Sequence, residues 1–186
     1  MEFLSLSWQQ LHGLSFRLSK KIKDTPIKPD LIVAIARGGM SIAHMLSDFL
    51  LLPVATFTVS SYRDMKRNKL SNIDYHVGGS LKDKHILLVD DNADTGKTFL
   101  RGIEHLKEMG ASSIQTASPL VKPWTKHLPD YYVQKTDKWI VFPYEVRETI
   151  EQIVVRYKKE KRTDDEIKKR LKILKISEKY IGEFFK

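Results

Sequence analysis

The chain has 186 residues, of which 41% are hydrophobic, 10% aromatic and 30% charged, and it contains no cysteine. These values predict one folded domain with a buried core and a small appendage, and they exclude a disulfide scaffold, thiolate metal sites and a cysteine nucleophile. The formal net charge of +9 favours an anionic partner, which can be a nucleic acid, a membrane surface or a phosphorylated metabolite.

Apolar periodicity along most of the chain alternates between helical and strand patterns. A first helix is predicted at 7–20, with Ser7 and Gln10 as its capping box. Strands are then predicted at 31–36, 54–59, 85–90, 114–121, 131–133 and 139–142, and helices at 41–51 and 98–109. The polar segment 60–80 has no periodicity of its own, which is typical of a functional loop. The alternation predicts an α/β fold with a parallel sheet, in which ligands bind at the carboxyl ends of the strands.

The last part of the chain has a different composition. Residues 156–186 include 12 basic and 6 acidic side chains, so most of the net positive charge lies there. Three helices are predicted in this region: one at 146–159, one capped by Thr163 and Glu166, and a short one capped by Ser177. We therefore expect an α/β body at 1–145 and a basic helical extension at 146–186.

The segment LLVDDNADTGKT at 87–98 is the most informative part of the sequence. A buried strand carries two adjacent carboxylates, Asp90 and Asp91, to its carboxyl end, and a turn with a third, Asp94, opens a helix. The backbone N–H groups of the turn and the helix N-terminus suit a phosphate. The carboxylates suit vicinal hydroxyls or a hydrated metal ion. Together they favour a sugar phosphate over a bare phosphate.

Two common phosphate-binding motifs fit this segment less well. Gly96-Lys97-Thr98 matches the end of a nucleoside-triphosphatase phosphate loop, but Asp91 stands where that motif needs its first glycine. The glycine fingerprint of a dinucleotide-binding fold is absent from the sequence. An ordinary strand–turn–helix with a polar surface turn stays open, although three aspartates within five positions argue against it.

The segment resembles the phosphoribosyl-pyrophosphate (PRPP) motif of the type I phosphoribosyltransferases, an apolar strand and two acids followed by D-T-G-x-T. Three more segments resemble family motifs in the expected order. ARGG at 36–39 resembles the pyrophosphate loop, and Ser61 with Tyr62 resembles the catalytic loop of purine enzymes. Lys122 and WIVFPYE at 139–145 resemble the base-recognition hood of xanthine–guanine and other 6-oxopurine members. The resemblance covers about 7–147 and implies the parallel-sheet fold of that family, with a small hood mainly at 120–145.

The resemblance also implies a role for each matching residue of the PRPP-binding segments. Asp90 and Asp91 would hold the ribose hydroxyls, directly or through Mg²⁺, and Asp94 would exchange a proton with N7 of the purine. Apart from the resemblance, a plain structural role for Asp94 is to cap the helix, and the two roles are compatible. The residues implied in binding the 5′-phosphate are Asp94, Thr95, Gly96, Lys97 and Thr98. Those implied in binding pyrophosphate are Ala36, Arg37, Gly38 and Gly39, and the peptide between the first two is often cis in the family.

Further roles are implied for the hood and the polar segment. Lys122 would donate a hydrogen bond to O6 of a 6-oxopurine, Trp139 would stack on the base, and backbone groups near Ile140 would pair with its edge. Glu145 would help to bind Mg²⁺ beside the pyrophosphate. The segment after Ser61 would close over the site as a lid.

These roles imply a purine phosphoribosyltransferase of purine salvage that uses Mg²⁺. It would transfer the phosphoribosyl group of PRPP to hypoxanthine, guanine or xanthine and release pyrophosphate and the nucleoside monophosphate. Adenine stays open as the base, because the flexible Lys122 side chain could turn away from it. A different class of function also stays open, namely a nucleotide-sensing regulator that binds nucleic acid through the basic helices. We favour a solvated basic face for those helices.

The expected surroundings follow from composition and resemblance. Oligomers are usual in the family, so by resemblance we expect a homodimer. The longest apolar run, at 49–57, is interrupted by Pro53 and is far shorter than the roughly 18 residues of a membrane span. The start of the chain has no basic segment ahead of an apolar one, as a secretion signal would. We therefore expect a cytoplasmic protein with no membrane partner.

Overall fold

The computed structural model describes residues 2–60 and 72–185. The chain forms two compact units: one consists of His12–Asp137, and the other of Met1–Leu11 together with Lys138–Lys186. The division between the units lies at 137/138, ahead of the predicted boundary at 145. This division into units reflects packing alone, so the predicted functional division of the chain stays a prediction.

Fifteen helices and strands lie in the described ranges. In chain order they are β1 (Phe3–Ser5), α1 (Trp8–Lys23), β2 (Leu31–Ala36), α2 (Gly38–Leu50), β3 (Val54–Ser60), β4 (Asn72–Tyr75), β5 (His85–Val89), β6 (Asn92–Ala93), α3 (Lys97–Glu108), β7 (Ser113–Val121), β8 (Tyr131–Lys135), β9 (Trp139–Val141), α4 (Val146–Lys159), α5 (Asp164–Ile173) and α6 (Glu178–Phe184).

A mostly parallel sheet forms the centre of the larger unit. Its strands run in the order β4-β3-β2-β5-β7, and β6 and β8 both pair with β7. Every pair is parallel except β3 with β4, which is antiparallel. The carboxyl ends of β2, β5 and β7 therefore lie at the same edge. This architecture confirms the predicted α/β fold with a parallel sheet.

The central strands are buried because their sequences are continuous apolar runs. Ile32–Ile35 of β2 and Ile86–Val89 of β5 have almost no exposed surface, as expected for parallel strands covered on both faces. Phe99 and Leu106 of α3 join the same core cluster. Burying one such side chain contributes about 1.5–3 kcal/mol, so this cluster is the main stabilising element of the unit.

The smaller unit contains a second apolar cluster. Its buried members come from α4, α5, α6 and the segment between the last two helices; they are Ile150, Ile153, Ile167, Leu171, Leu174, Ile176 and Ile181. The predicted capping box of α5 is confirmed, because Thr163 Oγ1 accepts from the N–H of Glu166 and the Glu166 carboxylate accepts from the N–H of Thr163. In the same unit β1 pairs in parallel with β9, aligning Phe3 with Trp139.

Several boundaries differ from the prediction. The capping box of Ser7 and Gln10 is confirmed, but α1 continues to Lys23. Helix α2 begins at Gly38 rather than at 41, because the two glycines that indicate a loop in the sequence are helical here. The polar segment predicted to lack regular structure contains β4, which pairs with β3 through a register shift. The three-residue strand β1 has no sequence signal and was not predicted.

Among the helices of the described ranges, none combines the length and the apolar character needed to cross a membrane.

Candidate active site

The N-terminus of α2 lies directly against the end of β5. A Cβ atom at Gly39 would come within 3.0 Å of the Val89 carbonyl oxygen, and a Cβ atom at Gly38 would come equally close to the Asp91 carboxylate. Real Cβ atoms essentially never approach other atoms so closely. At Gly39 the obstacle is backbone, so only glycine fits there, whereas at Gly38 the Asp91 side chain would have to move. The predicted pyrophosphate loop and the predicted ribose-binding acids, which are far apart in the sequence, are therefore neighbours in the fold.

The predicted pyrophosphate loop has the backbone form that the resemblance implies. The peptide bond between Ala36 and Arg37 is cis. Arg37 is exposed and occupies the N-cap position of α2, where no side chain caps the helix. A helix end of this kind can donate backbone N–H groups to an anion, and its dipole favours a negative charge there.

Asp90 and Asp91 follow β5 immediately and are both half-buried. The N–H of Asp90 donates to the Ala117 carbonyl of β7 at 3.2 Å, and the N–H of Asp91 donates to Oδ1 of Asp90 at 2.9 Å. These bonds fix the backbone that carries the two carboxylates. Their position at the strand ends agrees with the predicted sugar-phosphate site.

The donor chemistry of these two carboxylates fits Mg²⁺. Within the described residues no group of three or more histidine, aspartate or glutamate side chains could hold a metal ion. Mg²⁺ does not need such a cage, because it commonly uses one or two protein carboxylates together with substrate phosphates and water. Asp90 and Asp91 are therefore suited to hold Mg²⁺ jointly with a phosphorylated substrate.

The turn between β6 and α3 contains the predicted 5′-phosphate residues. Gly96 is the N-cap residue of α3, with a left-handed φ of 79° and no side-chain cap. Thr95 and Lys97 are exposed, and Thr98 is half-buried. The prediction that Asp94 caps this helix is wrong, because the helix begins at Lys97 and Asp94 lies too far ahead of it.

The segment that follows β7 runs beside this turn. The N–H of Lys122 donates to the Ala93 carbonyl at 3.0 Å, and the N–H of Lys126 donates to the Thr95 carbonyl at 3.1 Å. A Cβ atom at Gly96 would lie only 2.5 Å from the backbone nitrogen of His127. The phosphate turn and the predicted base-recognition segment are thus joined on both sides of Asp94.

Asp94 has a partner that the sequence did not reveal. Nε1–H of Trp124 donates to Oδ1 of Asp94 at 2.8 Å, within the ordinary range of an N–H···O hydrogen bond. Trp124 is 53% exposed. The available signal was an aromatic residue two positions after Lys122, at the end of a buried strand, and sequence reasoning did not use it.

Lys122 is a buried basic residue at the end of β7, only 7% exposed. Burial lowers the pKa of its ammonium group, while the negative charges of Asp94 and Asp137 oppose that shift. Its Nζ lies 5.5 Å from the centre of the Trp124 ring. A desolvated hydrogen-bond donor therefore lies in the same group of side chains as Asp94 and Trp124.

The other predicted site residues lie outside the described residues or in the smaller unit. Ser61 and Tyr62 lie outside the described residues. Trp139 and Ile140, in β9, and Glu145, at the N-cap position of α4, belong to the smaller unit. Trp139 is partly exposed and Ile140 half-buried. Their roles in base and metal binding stay predictions.

Comparison with known proteins gives consistent relatives. The family described as phosphoribosyl transferase domain matches residues 7–151. The xanthine-guanine phosphoribosyltransferase of Cereibacter sphaeroides is 30% identical over 149 residues, which cover 76% of this chain and 86% of that protein. The crystal structure of a purine phosphoribosyltransferase from Pyrococcus horikoshii has a TM-score of 0.70 and 41% identity, covering 77% of this chain and 95% of that one.

One relative carries a name of a different kind. The transcriptional regulator GfcR 1 of Methanosarcina barkeri is 28% identical over 120 residues, which are 58% of this chain and 58% of that protein. Members of one fold family can therefore differ in function, and function has to be argued from the site.

Proposed function

The chain belongs to the phosphoribosyl transferase family, and on that premise we propose that it is a purine phosphoribosyltransferase. The donor would be PRPP and the acceptor a 6-oxopurine, namely hypoxanthine, guanine or xanthine. The products would be the nucleoside 5′-monophosphate and pyrophosphate, as in purine salvage. The likeness to the xanthine-guanine enzyme of C. sphaeroides supports this choice of substrate class.

The observation that carries the proposal is the contact between two distant motifs. Gly38 and Gly39 lie against the backbone and carboxylates that follow β5, and the phosphate turn opens α3 directly after them. An anion-binding helix end, two carboxylates and a second helix end thus lie along one sheet edge. PRPP carries groups that match them: a pyrophosphate, two ribose hydroxyls and a 5′-phosphate.

The reaction needs little covalent participation from the protein. A purine nitrogen attacks C1′ of PRPP as pyrophosphate leaves, through a state with oxocarbenium character. Asp90 and Asp91 would hold the ribose hydroxyls, and the backbone of 95–98 would bind the 5′-phosphate. Mg²⁺, held by the same two carboxylates, would supply positive charge against the leaving pyrophosphate. Catalysis would then consist of positioning and of stabilising charge in a site closed to water.

Lys122 supports a 6-oxopurine over adenine. An ammonium group donates to the O6 carbonyl but meets the amino group of adenine donor to donor. A buried polar group that is left without its partner discriminates strongly between such bases. The burial of Lys122 also restricts the movement that would allow adenine to bind. Asp94, in the same group of side chains, would exchange the proton at N7.

The test is nucleotide formation from PRPP and Mg²⁺ with hypoxanthine, guanine, xanthine and adenine offered separately. We expect turnover with a 6-oxopurine, loss of activity when Mg²⁺ is chelated, and loss of discrimination against adenine in Lys122→Ala. The control is Lys84→Ala, which removes an exposed lysine ahead of β5, at the amino end of the strand. Preference for adenine would contradict the role of Lys122, and no turnover with any base would contradict the proposal as a whole.

The alternative of a regulator that binds nucleic acid gains little from the helical extension. Four of its basic side chains are paired with acids of the same unit: Arg147 with Glu151, Arg156 with Glu160, Arg162 with Glu166 and Lys172 with Glu178. Such exposed pairs are common on solvated helix faces, where each contributes little to stability. The expected homodimer and the expected cytoplasmic location stay predictions.

A further inference from the structure

Trp124 is half-exposed and also makes a direct side-chain hydrogen bond. About half of the side chain is exposed, yet its one polar atom is committed to a hydrogen bond with Oδ1 of Asp94 at 2.8 Å. An exposed indole N–H can be satisfied by water at no cost. The direct bond to a carboxylate in the phosphate turn therefore needs an explanation beyond hydrogen-bond satisfaction.

The backbone around Trp124 holds it opposite Asp94. The two carbonyls that flank Asp94, those of Ala93 and Thr95, accept from the N–H groups of Lys122 and Lys126. These two donors lie two residues before and two residues after Trp124. The segment is tightened by a turn in which the N–H of Thr125 donates to the Lys122 carbonyl at 3.1 Å. Trp124 and Asp94 are thus fixed in register by main-chain bonds on both sides.

An indole is well suited to orient a carboxylate. Its N–H is a donor only, it does not titrate, and the ring has two side-chain torsions, so little conformational entropy is lost when it is held. The ring also lies beside Lys122, whose Nζ is 5.5 Å from the ring centre. The indole therefore contacts Asp94 and Lys122, two of the side chains proposed to interact with the purine.

We propose that Trp124 is a positioning residue for Asp94. Its N–H holds one carboxylate oxygen, which directs the other oxygen toward the base for proton exchange at N7. The ring at the same time sets the position of the Lys122 ammonium group. This inference rests on the proposed function and adds to it a residue that acts through Asp94 rather than on the substrate.

The experiment measures steady-state kinetics of Trp124→Phe with PRPP and the preferred 6-oxopurine. The substitution keeps an aromatic ring but removes the N–H donor together with the five-membered part of the indole, a loss of ring that the control below shares. We expect kcat to fall about tenfold while the KM values for both substrates stay within about twofold, because orientation of a reacting group affects the transition state more than binding. The control is Trp8→Phe, the same change at a residue that is 56% exposed in the smaller unit, and it should leave kcat within about twofold.

A double-mutant cycle separates positioning from a structural role. In an Asp94→Asn background, Trp124→Phe should change kcat by less than about twofold, because the two residues act as one unit. A thermal midpoint within about 3 °C of the parent protein verifies that the variants are folded.

Each outcome bears on a different statement. Wild-type turnover with an undiminished Trp124→Phe variant would overturn this inference alone. The same holds for a tenfold loss that persists in the Asp94→Asn background, because the loss would then not pass through Asp94. Absence of wild-type turnover with any base would overturn the proposed function and this inference together.

Discussion

The carboxyl edge of the sheet and the C-terminal helices hold their charged groups in different ways. At the sheet edge, Asp90, Asp91 and Lys122 are partly or largely removed from water, and the backbone that carries the two carboxylates lies against Gly39, where a Cβ atom would meet main-chain atoms. Along α4 and at the start of α5, charged side chains pair with each other one turn apart on exposed faces. The charge density is greater in the helices, but the geometry is fixed at the sheet edge. Fixed geometry, rather than charge, therefore supports the sheet edge as the proposed active site.

The largest effect should come from glycine substitutions that compare the two regions. Gly39→Ala places a Cβ against the backbone of Val89 and Asp90, neither of which can move aside, so we expect a loss of about 3 kcal/mol in the free energy of unfolding. Gly182→Ala in α6 meets nothing within 4 Å and should stabilise the protein by about 0.5–1 kcal/mol through helix propensity. Denaturant unfolding measures both changes in the free energy of unfolding. Similar effects at the two glycines would contradict the statement that the geometry is more tightly fixed at the sheet edge than in the helical extension.

A second comparison replaces a carboxylate by an amide in each region. Asp90→Asn should lower kcat/KM for PRPP by about 100-fold, because a charge aimed at the ribose and metal is lost while the side-chain shape is kept. Glu160→Gln, which breaks the exposed pair with Arg156, should leave kcat/KM unchanged. Steady-state kinetics of the two variants provide the measurement. Retained activity in Asp90→Asn would contradict the proposal that PRPP binds at this edge of the sheet.

Within the helical extension, the N-termini of α5 and α6 differ in how they are capped. Thr163→Ala removes the side chain that caps α5 and should lower the free energy of unfolding by about 1 kcal/mol. Ser177→Ala at the N-cap position of α6 is the matched control, because that serine makes no side-chain cap bond, and its effect should be smaller. Neither variant should alter turnover of PRPP. A loss of activity in Thr163→Ala would connect the extension to the reaction.

The smallest expected effect concerns acid sensitivity of the sheet body. Burial lowers the pKa of His105 below its ordinary value of 6.5, and the positive charges of His76 and Arg101 add to this, while Glu108 opposes it. On unfolding, the imidazole regains its ordinary pKa and binds a proton below about pH 6.5, so the free energy of unfolding falls as the pH falls through that value. It levels off once the pH is below the lowered pKa of the folded state.

His105→Leu should therefore reduce the loss of stability between about pH 7.5 and pH 5.5. The ring packs on Phe57, with centroids 5.3 Å apart, and its Nε2 has no hydrogen-bond partner in the described part of the chain, so an apolar replacement suits the position. His127, whose pKa is also lowered by burial, should keep part of the acid sensitivity. Urea unfolding at the two pH values gives the free energy of unfolding of each protein. If that free energy falls equally in the wild type and in the variant between the two pH values, the prediction is contradicted.

The sequence predicts the features that depend on long apolar patterns. The parallel strands of the large sheet, except the two-residue β6, are runs such as LIVAIA and HILLV, and their predicted ends agree with the structure to within two residues. The features missed depend on distant contacts. Strand β4 is composed mostly of polar residues and forms by pairing with β3. Helix α2 begins earlier than predicted because Gly38 and Gly39 pack against the end of β5 rather than forming a turn.

The candidate site divides in the same way. Asp90, Asp91 and Asp94 lie within one short segment, so the sequence alone predicts a site with their chemistry. Trp124 is 30 positions from Asp94, and only the pairing of the two segments brings them together. The same dependence on folding explains why Asp94 could be taken for a helix cap, since nothing local in the sequence shows that Gly96 fills that position.

The two main-chain bonds that join 93–95 to 122–126 have a consequence for anyone who wishes to redesign this protein. A library that varies the residues after β7 to accept another base also varies the backbone that supports the phosphate turn. Variants that gain preference for a new base are then expected to lose affinity for the proposed donor, PRPP. Selection schemes that score only the new base will recover compromised variants, whereas schemes that vary both segments together can recover both properties.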